Sequence, residues 1–124
     1  MQKIVKNIIE HQNNNNIAIT STSYPPLYYK ELKLLINKIS SQLAANDISN
    51  KDRAAIVLPN GPHMATSFLA ISSYMSAAPL NPNYKAEEFE FYLGDLKPKI
   101  LIVEPNSKNP CLLYTSPSPR DAHK

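Results

Sequence analysis

The sequence predicts an α/β fold: a partial doubly wound, largely parallel sheet with helices between its strands. Two observations carry this. Residues 53–58 and 99–103 are short, mostly apolar runs bounded by polar and turn residues, as in strands buried on both faces. The segments between them have helical periodicity, and parallel strands need crossovers of a dozen or more residues, usually helical. The order strand, helix, short strand, helix, strand follows, and with it the class.

Each element has its own signal. In residues 2–10, Ile4, Ile8 and Ile9 sit at helical spacing. The run Asn13 to Asn16 interrupts that pattern, because Asn favours turns over helix. Residues 17–20 predict a short strand and residues 21–26 a turn. From Tyr29, the residues Leu32, Leu35, Ile36, Ile39 and Leu43 form one helical stripe, with Lys33, Lys38 and Gln42 outside it. The stripe stops near Asn46, which enters the left-handed region more easily than most residues. Residues 53–58 are the first buried strand. Pro59-Asn60-Gly61-Pro62 turns the chain into a helix, with Pro62 at a first position where its missing N–H costs nothing. Met64, Phe68, Ile71 and Met75 mark the buried side of that helix, and small residues such as Ala65 and Ala70 let it lie close to a sheet. Residues 78–82 are too rich in Pro for a long interior strand. Residues 86–96 predict a helix with Phe89, Tyr92, Leu93 and Leu96 inward. Glu87 and Glu88 suit the positive end of its dipole. Residues 99–103 are the next buried strand.

Bulk properties exclude several classes. The 124 residues are 43% hydrophobic and 19% charged, which excludes a wholly disordered tail and bounds the chain to one small domain or a piece of a larger one. The formal charge is +3, but the basic residues are scattered, whereas nucleic-acid binding needs them on one face. No nucleic-acid partner is expected. Residues 54–84 carry no Asp, Glu, Lys or Arg, yet the turn at 59–62 and several serines break the run below the roughly 20 apolar residues of a membrane span. The single cysteine, Cys111, excludes an internal disulfide, and no Cys/His spacing suits zinc. Residues 1–10 carry Lys3, Lys6 and Glu10 and lack the apolar centre of a signal peptide. A cytoplasmic setting is expected.

The text changes after Pro105. Residues 106–110 read as a linker. Residues 111–124 have no period, and Pro117 and Pro119 bar a regular element. Residues 1–105 are expected to form an incomplete N-terminal domain and residues 106–124 a linker with a non-native tail, a read-through from about Cys111.

Two segments carry a family resemblance. Residues 52–62, from Asp52-Arg53 to Asn60-Gly61-Pro62, resemble the early strand and turn of the AMP-binding acyl-CoA synthetases. Residues 79–93, Pro79-Leu80-Asn81-Pro82 through Phe91-Tyr92-Leu93, resemble a later segment of the same enzymes, closest in wording to the branch of oxalate-CoA and 4-coumarate-CoA ligases. Tyr29-Lys30-Glu31-Leu32 matches their early helix start. The likeness is collinear from Ile17 to Pro105. There are departures: Lys51 stands where the family has Gly, Tyr28 where it has a capping Thr, and His63 where it has an acid. His63 is expected to face solvent rather than act as a base.

The resemblance implies a parent enzyme that joins a small carboxylic acid to ATP and passes the acyl group from AMP to CoA. ATP, Mg2+ and CoA are then the parent's cofactors. Catalysis of this kind is mostly positioning and charge neutralisation. The residues that perform it lie downstream in the family, so no catalytic, cofactor-binding or metal-binding residue is assigned here. Leu113-Tyr114-Thr115-Ser116 looks like the start of the family's phosphate loop, but Pro117-Ser118-Pro119 follows where glycines should supply N–H donors. That likeness is read as coincidence. A peroxisomal address stays compatible, since it would sit at a native C-terminus.

The alternatives are a complete α/β module that binds a protein partner, and a small flavodoxin-like nucleotide domain. The latter should show a phosphate loop after its first strand, and residues 59–62 have one Gly. A fragment is expected to fold poorly and to leave the strands at 54–58 and 99–103 unpaired; a free module should guard its sheet edges.

Overall fold

The structure is a computed structural model, and it describes residues 2–104. Expectations for residues 105–124 lie outside the described residues.

Helix α1 spans Gln2–Glu10, strand β1 Ile17–Ile19, strand β2 Leu27–Tyr28 and helix α2 Tyr29–Ala45. Strand β3 is Arg53–Val57, helix α3 Pro62–Ser72, strand β4 Ser76–Pro79, helix α4 Ala86–Leu96 and strand β5 Ile100–Val103. The sheet is parallel in the order β4-β3-β5, with Ala54 opposite Ala77 on one side and Ile100 on the other. The α/β class and parallel sheet are therefore as the sequence implies. The expectation of unpaired strands at 54–58 and 99–103 is corrected: β3 is central and bonded on both sides, and β5 is paired with it. The Ala-Ala-Ile-Val run of β3 is what a strand with two covered faces requires.

Alternation splits the core between those faces. Ala54, Ile56 and Ile100 meet Ile71 and Met75, with Ile39 and Leu43 of α2 behind. Ala55, Val57 and Leu101 meet Phe89 and Leu93 of α4. The chain steps one way from β3 to β4 and back across β3 to β5. Right-handed crossovers in opposite directions put α3 and α4 on opposite faces, which is the doubly wound arrangement.

A third cluster joins Ile9, Leu32, Ile36 and Ala70, and places α1 and the β1–β2 hairpin outside α2 and α3. The hairpin is antiparallel, and its second strand falls within a segment that periodicity could not mark, being two residues long. In α1, Ile9 is buried while Ile4 and Ile8 face outward. Lys33, read from its period as an outer residue, is half-buried. Its Nζ donates to the Gln12 carbonyl at 2.7 Å and to Asn14 Oδ1 at 2.6 Å, clasping the Asn-rich loop onto α2.

Helix ends depart from expectation in instructive ways. Asn46 takes φ −101 and is not left-handed; Asp47, at φ 62, makes that turn. Helix α3 stops at Ser72, so Met75 enters the core from a turn in which both Tyr74 and Met75 donate to the Ile71 carbonyl. In α4, Phe89 and Leu93 are buried as expected, but Tyr92 is 40% exposed and lies outside the inward set. Tyr84 occupies its inner side instead, stacked on it at 5.1 Å.

Two helices keep half of a capping box. The Tyr28 N–H donates to Glu31 Oε1 at 3.1 Å and the Lys85 N–H to Glu88 Oε1 at 3.0 Å. Neither Tyr28 nor Lys85 returns a side-chain bond to its helix. Tyr28→Thr supplies the missing acceptor for an N–H of the first turn, and is expected to stabilise the chain by about 1 kcal/mol. Urea midpoints of the two proteins check this; a lower midpoint for the Thr variant would show that the Tyr28 ring matters more than the cap.

Candidate functional site

Open α/β sheets bind ligands beyond the carboxyl ends of their strands, where the strand order reverses. Here that point lies between β3 and β5. All three strands point the same way, so their exits form one rim. β3 leaves through Leu58-Pro59-Asn60-Gly61, and Gly61 caps α3 with φ 149. That angle is costly for any residue with a Cβ, so the glycine is there for backbone shape. β4 leaves through residues 80–85. The Leu80 N–H donates to the Ile56 carbonyl at 2.8 Å, and the Asn83 N–H to Asn81 Oδ1 at 2.8 Å, so this loop is anchored to β3 and folded on its own Asn. β5 leaves at Glu104, which is exposed.

The rim's chemistry is limited. His63 is exposed at the start of α3 and makes an edge contact with Tyr24, ring centroids 4.7 Å apart, as befits a surface residue. Among the described residues no three His, Cys, Asp or Glu side chains are grouped to hold a metal. A triphosphate needs several backbone N–H donors converging on it, with a cation. Gly61 is flanked by Pro59 and Pro62, which have no N–H, and Gly94 lies within α4. Neither glycine therefore gathers such donors, and what the described rim presents is a wall.

The resemblance-bearing segments are where they would build that wall. Asp52 accepts from the Ser49 N–H at 2.8 Å and folds the approach to β3. Arg53 Nε donates to the Leu96 carbonyl at 2.7 Å, and so holds the end of α4 to the start of β3. Lys51, in place of a family Gly, does not take a positive φ, so that departure costs no backbone strain. Lys97 does, at φ 50, ending α4 with its N–H on the Leu93 carbonyl.

Sequence reasoning missed one group at the rim. Tyr84 meets the Phe89 edge at 5.6 Å and stacks on Tyr92. The spacing of Tyr84, Glu88 and Tyr92 at four-residue intervals was the available signal. Removal of water from the Tyr84 hydroxyl, and then the nearby Tyr92 and Glu88, raise its pKa above the ordinary tyrosine value. A raised folded-state value favours the neutral form. The stabilising effect is present below the unfolded value of 10.0 and lost as pH rises through the folded one. Phenolate absorbance is expected to show a late transition that Tyr84→Phe removes. An unchanged titration curve would refute the assignment.

Comparison with known proteins gives this scaffold its relatives. The family described as AMP-binding enzyme matches residues 8–122, a span that runs through Leu113–Ser116 into the tail. A probable CoA ligase of Humulus lupulus is 39% identical over 80 residues, covering 64% of this chain and 15% of the relative. The oxalate–CoA ligase of Arabidopsis thaliana is 38% identical over 86 residues, covering 68% of this chain and 17% of the relative. The chain thus spans about a sixth of the length of these curated relatives. Among solved structures, VinN with 3-methylaspartate superposes with TM-score 0.78 at 19% identity, covering 94% of this chain and 32% of that one. O-succinylbenzoate coenzyme A synthetase of Bacillus subtilis with AMP gives TM-score 0.74 at 21% identity, covering 90% and 29%. These likenesses are of fold. No helix among the described residues is long and apolar enough to cross a membrane. With every strand of the sheet inside the matched span, the chain belongs to the family of AMP-binding enzymes.

Proposed function

We propose that this chain is the scaffold portion of an ATP-dependent acid–CoA ligase, one that forms an acyl-AMP and then an acyl-CoA. The observation that carries the reading is the family match, together with relatives named as CoA ligases. The parent uses ATP, Mg2+ and CoA and takes a small carboxylic acid. Oxalate is the first acid to try, since the Arabidopsis relative is named for it. A cytosolic location goes with this reading. The described residues build a wall of the site and contribute no reacting group.

Two measurements test this. The full-length product of the native locus is expected to catalyse acid-dependent exchange between pyrophosphate and ATP; failure with every acid tried would overturn the ligase reading. The 124-residue chain by itself is expected to gain no thermal stability from millimolar ATP and to make no acyl-AMP. A protein that binds ATP tightly relative to that concentration would gain several kcal/mol, and a rise of that size would assign binding to this chain. The alternative, a free-standing module that binds a protein, predicts no exchange activity from the locus.

Residues 106–124 are read in the same way as a linker and a read-through tail, with the native enzyme diverging from about Cys111. An independent assembly of the locus that encodes the same tail would overturn that reading.

A further inference from the structure

The turn between β3 and α3 carries a reactive pair. Asn60 is the one asparagine of the chain that a glycine follows. Both residues are exposed. Nothing lies within 4 Å of where a Cβ on Gly61 would sit, so no neighbour shields that residue. Among the described residues none bonds the Asn60 side chain or the Gly61 N–H, although the Gly61 carbonyl accepts from the Ala65 N–H at 3.1 Å. Other asparagines are tied down. Asn13 and Asn81 each accept from the backbone N–H two residues on, at 2.9 and 2.8 Å. Asn14 accepts from Lys33, and the Asn46 side chain donates to the Gln42 carbonyl. An asparagine held in this way must give up a hydrogen bond before its side chain can turn onto the next nitrogen.

We propose that Asn60 is a site of spontaneous conversion to isoaspartate in the folded protein. Hydroxide takes the Gly61 amide proton, and the Gly61 nitrogen attacks the side-chain carbonyl carbon of Asn60. A C–N bond forms there, the bond to the side-chain nitrogen breaks, and that nitrogen leaves as ammonia with a proton from water. A succinimide ring remains, and water opens it. Opening at the backbone carbonyl gives isoaspartate, and opening at the side-chain carbonyl gives aspartate. Nothing is oxidised or reduced, and the net change is one water taken up and one ammonia lost. The fold accommodates either product. Each puts a carboxylate just ahead of α3, an 11-residue helix with no acid in its first turn and no side-chain cap, where the positive end of the dipole favours it. The freedom of Gly61 lets the turn absorb the extra backbone methylene of the isoaspartyl link. This chemistry does not depend on the ligase reading.

Peptide mapping of the full-length product of the native locus, stored folded at neutral and at mildly alkaline pH, tests this. Trypsin releases residues 54–85 as one peptide, which also holds Asn81 and Asn83 as internal controls. Isoaspartate is expected at residue 60 and not at the controls, and faster at the higher pH. The rate in the folded enzyme is expected within about tenfold of that in urea, as for a segment that needs no opening to react. Asn60→Gln is expected to lose the ammonia released from this peptide, because the larger ring it needs closes far more slowly. A folded enzyme that converts more slowly than that limit would show that the turn protects Asn60, and overturns the proposal. Equal conversion at Asn83 overturns it as well, since the fold would then select nothing.

Discussion

Replacement of Phe89 by Ala is expected to remove the cooperative urea transition of this chain, at a cost of about 3–5 kcal/mol. Phe89 is fully buried, and it is the largest side chain that α4 places on its face of the sheet. It shares a buried cluster with Ala55, Val57 and Leu101 of the sheet, and the small Ala55 side chain leaves volume for a ring. The Tyr84 edge contact adds about 0.5–1.5 kcal/mol that the same substitution loses. Domains of this size are stable by only about 5–15 kcal/mol, so the loss takes a large share of what there is. Urea titration in a sulfate buffer, which strengthens apolar burial, gives the reference protein a measurable transition. Phe91→Ala is the control: that ring is 68% exposed, and its loss should change stability by no more than about 0.5 kcal/mol. Equal effects of the two substitutions would mean that α4 does not sit as described.

Leu32→Ala is the second large effect, at about 2–5 kcal/mol, and it should act on a different layer. Leu32 is fully buried among Ile9 of α1, Ile36 of its own helix and Ala70 of α3, with Ala18 and Leu27 of the hairpin against them. Four elements therefore share one side chain. The Lys33 clasp holds the same loop by hydrogen bonds, but its acceptors lie close to solvent, and it cannot replace the lost apolar contact. Hydrogen exchange is expected to show α1 and the hairpin losing protection before β3 does, since β3 draws its cover from other clusters. Simultaneous loss across all elements would show that the outer layer and the sheet form one cooperative unit. Phe89 and Leu32 belong to separate clusters with no shared partner, so their effects should add.

How much was legible follows from how local each signal is. Helix α4 was placed to the residue because its signal is complete within 11 residues: two acids at its start and Phe89 and Leu93 four apart. β3 and β5 were legible because burial on both faces leaves no room for polar residues. β2 was not, since two residues have no period. The inward place given to Tyr92 failed because Tyr84, eight residues earlier, takes the space on the sheet side. Lys33 was misplaced because its partners, Gln12 and Asn14, lie about 20 residues away. At the candidate site the turn at 59–62 was legible, but the stacking of Tyr84 on Tyr92 was not, because it depends on how the loop before α4 folds back.

The sequence by itself determined the α/β class, the two buried strands, the order of the crossovers and the family likeness, since each is written in local periodicity or in a short run of residues. Only the tertiary structure decided that residues 53–57 are the central strand, that α3 and α4 take opposite faces, and that β4 and β5 flank β3 on its two sides. Those are pairings between segments 20 to 50 residues apart. They are settled by which faces can be covered at the same time, a property of the assembled layers that no single segment carries.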